Sequence, residues 1–239
     1  MNLVLDDLRV ARRGQPIIRG VSLSAAVGSV TVLLGSNGAG KTTLLQAVSG
    51  VLPITSGRIF LGGKDLTPLT RVRRARNGLA HVEQGRTVYS TLTVRENIAL
   101  VGSVERALKI FPELARCTEV LAGLISGGEQ QMLVLARAMV GNPSVLLLDE
   151  MSLGLSPGVL RRLYPVIRRI ADEGCVVLLV DQFAHAVLSF ADMACVLAHG
   201  VLTYSGEPGP LRTSDDTLKC AYLGNSAPSP ALPWETGEP

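Results

Sequence analysis

An apolar run, Thr31-Val32-Leu33-Leu34, leads directly into Gly35-Ser36-Asn37-Gly38-Ala39-Gly40-Lys41-Thr42-Thr43. The segment that follows, Thr42 to about Ser49, has helical character. A buried strand, a glycine-rich turn and a helix start therefore succeed one another without a gap. The glycines let consecutive backbone N–H groups turn inward, because no Cβ blocks that conformation. The helix aims its positive end into the same turn. The spacing G-x-x-x-x-G-K-[ST] in this setting reads as a cradle for a triphosphate. Lys41 supplies a mobile cation for the β- and γ-phosphates, and the Thr42 hydroxyl is a candidate Mg²⁺ ligand. A glycine-rich turn with an incidental lysine is the alternative. At ordinary residue frequencies the full pattern arises by chance in about 1% of chains this long.

The chain has 239 residues, nearly half of them hydrophobic, with a formal net charge of +3. That is enough for one large domain or two small ones, with a sizeable core. Arg71, Arg73, Arg74 and Arg76 form the densest basic patch, expected as a solvated loop or a contact with an acidic partner surface. Scarce aromatics that do not alternate with basic residues argue against nucleic-acid binding. Cys117, Cys175, Cys195 and Cys220 are widely spaced, which suggests neither zinc ligation nor a disulfide framework. Reduced thiols fit a cytosolic setting. The first residues lack the pattern of a signal peptide, and the longest strongly apolar run, Val176 to Val180, is too short to span a bilayer. A membrane role is expected only through partners.

Strands are expected at Leu3–Val10, Ile17–Leu23, Val30–Leu34, Arg58–Leu61 and Leu79–Val82. Helical periodicity covers Thr93 to about Leu108 and Glu129 to Met139, the latter with Met132, Leu135, Ala136, Met139 and Val140 on one face. Val145 to Leu148 and Val176 to Val180 have the profile of parallel strands buried on both faces. Between them, Ser156 as a cap and Pro157 at the first helical position open a helix that runs to about Glu173 and stops at Gly174. Arg161, Arg162, Arg168 and Arg169 are expected along its solvated face. Met193–Leu197 and Val201–Tyr204 read as a hairpin turning at His199-Gly200. Residues 225–239, with four prolines, read as a disordered tail. Alternating strands and helices predict an α/β fold with a mostly parallel sheet, its ligand at the carboxyl ends of the strands. Lys41, Asp149 and Asp181 all follow such ends.

Asp149 closes its apolar strand where a carboxylate can reach the Mg²⁺ shell beside Thr42. Glu150 follows and points elsewhere, toward a water in line with the γ-phosphate; read without the phosphate loop, the pair merely ends a strand. A third motif, Ser126-Gly127-Gly128-Glu129-Gln130, contains a capping box, Ser126 with Glu129. A cap alone does not need two adjacent glycines, which expose N–H groups at a helix start as a second anion site.

Phosphate loop, Ser-Gly-Gly-Glu-Gln, and an apolar strand ending in Asp-Glu, in that order, resemble the ATP-binding subunit of an ABC transporter over about Leu3 to Gly224. Val82-Glu83-Gln84-Gly85-Arg86, Leu92 to Asn97, Phe111-Pro112-Glu113-Leu114 and Ser152-Leu153-Gly154-Leu155 resemble the smaller ATPase of the branched-chain amino-acid uptake branch. The resemblance implies a P-loop NTPase (RecA-like) parallel core, an antiparallel β subdomain and a helical signature subdomain, about 91–140, within one domain at 1–224. It implies that Gly35, Ser36, Asn37, Gly38, Ala39, Gly40, Lys41, Thr42 and Thr43 bind ATP. Ser126, Gly127, Gly128, Glu129 and Gln130 would be the signature clasping ATP held by a partner. Thr42, Gln84 and Asp149 would serve Mg²⁺, while Glu150, Gln84 and Gln182 would be the catalytic set. Ser152 to Ser156 would cross to the partner. The implied partners are a second ATPase subunit, identical or a sister chain, and transmembrane permease subunits, placing the protein at the inner face of the membrane without nucleic acid.

Four departures stand out. The adenine-stacking aromatic of the family is replaced by Arg12 and Arg13; Arg13 is the candidate stacking plane, with a solvated turn as the alternative. Gln182 stands where most members have histidine, although glutamine is common in this branch. Ile125, Ser36 and Met151 are milder changes. The 101–124 segment is short. His81, His185 and His199 read as structural or surface residues. Two competing readings are a soluble ABC ATPase acting on ribosomes or DNA, which usually carries two cassettes or a coiled-coil insertion, and a P-loop kinase, which leaves Ser126 to Gln130 unexplained.

Overall fold

The computed structural model describes residues 1–85, 87–181 and 183–224. Strands β3 (Val30–Leu34), β7 (Val145–Asp149) and β8 (Val176–Val180) are buried at every position. Runs of Val and Leu with no polar alternation suit strands covered on both faces. Their residues alternate between two cores: Val30, Val32 and Leu34 on one side, Leu33 on the other. With β6 (Leu79–Val82), β9 (Met193–Ala198) and β10 (Val201–Gly206) they form one sheet in the order β10-β9-β3-β8-β7-β6. All its neighbours are parallel except the β9–β10 hairpin.

A second, antiparallel sheet joins β1 (Leu3–Arg12), β2 (Gln15–Ala25), β4 (Ser56–Leu61) and β5 (Lys64–Asp65) in the order β2-β1-β4-β5. Its inner face packs with α1 (Lys41–Ser49) against the central sheet. The opposite face of the central sheet is covered by α5 (Gly127–Val140) and α6 (Pro157–Asp172). All five residues expected on the inner face of α5 are buried. Short helices α7 (Ala184–Leu188), α8 (Gly209–Thr213) and α9 (Asp215–Tyr222) lie in the last part of the described residues. Carboxyl ends of β3, β6, β7 and β8 therefore open on one edge, where an open α/β sheet holds its ligand.

Four expectations are corrected. The helix expected over Thr93 to about Leu108 is two helices, α3 (Val94–Ala99) and α4 (Val104–Ile110). Gly102 packs on Val140 with no room for a Cβ, and Ser103 restarts the helix by accepting from Arg106 N–H. The arginine-rich patch is not a loop but a helix, α2 (Arg71–Arg76), and Arg74 is buried. Its guanidinium donates to the carbonyls of Ala47, Val48, Thr67 and Leu69. Along α6, Arg168 does not face solvent alone: it binds Asp172, Asp192 and the Gly28 carbonyl, tying the helix to the start of β3. Ser156 occupies the cap position of α6 but makes no side-chain cap bond, leaving Pro157 to set the start. The expected tail at 225–239 and Arg86 lie outside the described residues.

Candidate active site

Residues 35–40 bridge β3 and α1. A Cβ on Gly35 would collide with the Leu197 carbonyl of β9. Gly40 caps α1 in the left-handed region at φ 109°, and a Cβ there would lie 2.8 Å from Ile18. Both glycines are thus required by the strands packed around the loop as well as by its turn. Asp, Ser and Thr are absent from the cap position, so no side chain competes for the first N–H groups of α1. Those groups remain available to an anion.

Lys41 is buried, with Nζ donating to the carbonyls of Gly35 (2.8 Å) and Ser36 (3.0 Å). Burial lowers its pKa, while the nearby charges of Glu150 and Asp149 raise it. The side chain thus folds back over the loop. From the end of β7, Asp149 reaches across the sheet: Thr42 Oγ1 donates to its Oδ1 at 3.2 Å. Asp149 is 1% exposed, and its Oδ2 is buried without a hydrogen-bond partner among the described residues. Burial, chiefly, raises its pKa to about 6, with Glu150 adding repulsion. An ionised carboxylate so placed is poorly compensated and fits a cation.

Glu150 turns away at φ 45°, its N–H donating to the Val180 carbonyl of β8. Gln84, two residues beyond β6, donates Nε2 to Glu150 Oε2 at 2.8 Å. Three strand ends thereby meet at one cleft of about 420 Å³, lined by Asn37, Gly38, Gly40, Lys41, Thr42, Thr43, Gln84 and Glu150 together with Arg12 and Ile17. No group of three or more His, Cys, Asp or Glu is poised for a metal among the described residues. One hydroxyl and one carboxylate suit Mg²⁺, which retains water and takes phosphate oxygens as its other ligands.

Not every expected residue joins this cleft. Arg12 lines it, but Arg13 does not: Arg13 opens the β1–β2 turn at φ 52°. Ile17 was absent from the expected site; the strand pairing Ala11↔Pro16, which brings it beside the loop, is not visible in sequence. Ser126 to Gln130 do not line the cleft. Ser126 and Glu129 form the reciprocal cap, and Gln130 and Gln131 line a separate hollow of about 340 Å³ that also reaches Glu150. Gly128 lacks a side chain for a packing reason too, since a Cβ would stand 2.8 Å from Val159 of α6. Gln182 lies outside the described residues. Its neighbour Asp181 accepts from the Ser152 hydroxyl at 2.5 Å and from Phe183 N–H at 3.0 Å. His81 is held against Ser49 at 3.0 Å, away from this cleft.

Residues 18–152 match the sequence family described as "ABC transporter". The chain is 38% identical over 214 residues to the high-affinity branched-chain amino acid transport ATP-binding protein BraG of Pseudomonas aeruginosa, covering 85% of this chain and 91% of BraG. It is 30% identical over 234 residues to the lipopolysaccharide export system ATP-binding protein LptB of Escherichia coli, covering 93% and 97% of the two chains. The ATP-binding cassette MJ1267 in its ADP conformation superposes with a TM-score of 0.83 at 24% identity, over 92% of this chain and 98% of that one. That last likeness shows the α/β cassette fold. ABC ATPases work as dimers with transmembrane permease partners, and no helix among the described residues is long and apolar enough to cross a membrane itself. Together, the family match and the sequence relatives show that the chain belongs to the ABC transporter family as an ATP-binding, ATP-hydrolysing subunit.

Proposed function

We propose that this subunit powers an importer of branched-chain amino acids or similar small polar solutes, acting at the inner membrane face through permease subunits. The observation that carries the site assignment is the convergence of Lys41, Thr42, Asp149, Glu150 and Gln84 on one cleft. The loop from Gly35 to Thr43 would hold the phosphates, with Lys41 exchanging the Gly35 and Ser36 carbonyls for β- and γ-oxygens. Thr42, Asp149 and Gln84 would hold Mg²⁺, which when bound neutralises charge on the phosphates. Glu150 would orient and deprotonate the attacking water, with Gln84 fixing the carboxylate until nucleotide arrives. Arg12 and Ile17 would flank the base, the guanidinium stacking in place of an aromatic ring.

Lying outside this cleft, Ser126 to Gln130 would serve the nucleotide of a second ATPase subunit, whether a copy or a sister chain. A reading of 1–224 as one domain with a helical insertion at about 91–140 follows the same logic. The solute is suggested by the similarity to BraG. Similarity to LptB favours a second reading, lipid export. Uptake of labelled leucine by vesicles carrying the assembled transporter separates the two. ATP-dependent accumulation that vanishes with Glu150→Gln supports import; ATP-dependent lipid extraction without amino-acid accumulation refutes it.

A further inference from the structure

The capping box at the start of α5 holds more charge than a cap needs. Ser126 donates both its N–H and its O–H to Glu129 Oε2, at 2.8 and 2.7 Å. Glu129 N–H returns to Ser126 Oγ at 3.3 Å. The second carboxylate oxygen, Oε1, receives Arg116 Nη2 and Nε at 2.9 and 3.2 Å. Arg116 comes from a separate element, the 3₁₀ turn at Pro112–Cys117. The Glu129 side chain is 15% exposed and that of Arg116 68%, so the pair runs from a sheltered carboxylate to an open guanidinium. The Ser126 bond, with Arg116 assisting, holds the Glu129 carboxyl below the usual range, so it is an anion at neutral pH.

This anion creates a problem for the proposed function. If Ser126, Gly127 and Gly128 close on the γ-phosphate of a neighbour's ATP, they carry a negative charge toward a tetra-anion. The same carboxylate also occupies the Ser126 hydroxyl proton that a phosphate oxygen would need. A cation on Oε1 answers both difficulties: it cancels the charge and weakens the carboxylate as an acceptor for Ser126. We propose that Arg116 is a positioning residue for ATP hydrolysis, neutralising Glu129 so that the Ser126 tip can close on nucleotide held by the partner subunit. Arg116 touches no nucleotide itself; it acts through Glu129. The inference rests on the reading of a nucleotide shared between subunits.

The test uses the assembled transporter, isolated through this chain, with ATPase rates measured across ATP concentration. Arg116→Ala should raise KM about fivefold, the weight of a partly exposed charge pair, with kcat within about twofold of the parent. Arg116→Gln, which keeps a donor without charge, should behave like Arg116→Ala, while Arg116→Lys should return most of the affinity. Because the effect is electrostatic, the gap in KM should close at salt on the order of 0.5 M. Melting temperatures of the isolated subunit should agree, since an exposed pair adds little stability. A normal parent with unchanged KM in Arg116→Ala overturns this inference alone. So does a KM defect that persists at high salt, or a lysine variant as impaired as alanine. A parental complex that hydrolyses no ATP overturns the composite-site reading, and this inference with it.

Discussion

Arg74→Ala should destabilise the subunit more than any other change to an arginine on its surface helices, through a contact far from the phosphates. One guanidinium donates to four carbonyls: Ala47 at 2.7 Å and Val48 at 2.8 Å near the end of α1, and Thr67 and Leu69, both at 3.0 Å. The two α1 carbonyls carry the negative end of the helix whose other end lines the cleft. Burial lowers the Arg74 pKa, so desolvation cancels part of what these bonds contribute. Hydrogen bonds to a charged group are worth about 1.5–3 kcal/mol each, but water entering the emptied site would satisfy some carbonyls. The net loss should be about 3–5 kcal/mol, the range for breaking a buried polar network. For a chain of this size that is a fall in Tm of about 10 °C. Thermal and urea unfolding without nucleotide measure it. Arg74→Met, which keeps volume without donors, should recover only a minor part, because the carbonyls stay unmatched. A drop in Tm under about 3 °C for Arg74→Ala would refute the reasoning.

Lys41→Ala should weaken ATP binding about 100-fold, the value of a lost charge-assisted contact; titration with a fluorescent nucleotide checks it, and normal affinity would remove Lys41 from the site. Gly128→Ala should cost about 1–3 kcal/mol by overpacking against Val159, and the double variant with Val159→Ala should recover most of it; failure of that rescue would contradict the packing role. His81 is half-buried, its Nδ1 against the Ser49 hydroxyl, which also lies within hydrogen-bond distance of the Gln46 carbonyl. Burial lowers its pKa from 6.5 to about 4. Between those values the unfolded chain binds more protons, so this contribution is present above pH 6.5 and lost as pH falls toward 4. It amounts to about 3 kcal/mol. Asp149, raised to about 6, acts with the opposite sign in an overlapping window, so the difference between parent and His81→Asn is the quantity to follow. A difference that does not change from pH 7 to pH 4.5 would contradict the assignment.

Central strands were legible because burial on both faces leaves an unbroken Val and Leu pattern: β3, β6 and β8 begin and end where the sequence places them. The turn from Gly35 to Gly40 between β3 and α1 was legible because its glycines answer a local demand on the backbone. What sequence could not show depends on distant partners. Arg74 reads as one more charge in a basic run until α1 and its carbonyls are placed beside it. Arg168 reads as solvated until Asp192 arrives from 24 residues away. The choice of Arg12 over Arg13 for the cleft wall follows from where the hairpin turns, a matter of register that flips alternate side chains. The break at Gly102 was hidden because the periodicity on both sides is helical. Arg116 and Glu129 stand 13 residues apart, and only the 3₁₀ turn brings them together.

A single turnover by the Glu150→Gln subunit in its assembled transporter tests the chemistry most directly. Mixed with radiolabelled ATP and Mg²⁺, then filtered and separated into ATP and ADP, the variant should retain uncleaved ATP with affinity close to the parent, because the carboxamide keeps the shape but cannot take a proton from water. Release of ADP at the parental rate would contradict the account, showing that the cleft built by Lys41, Thr42 and Asp149 does not rely on its glutamate to cleave nucleotide.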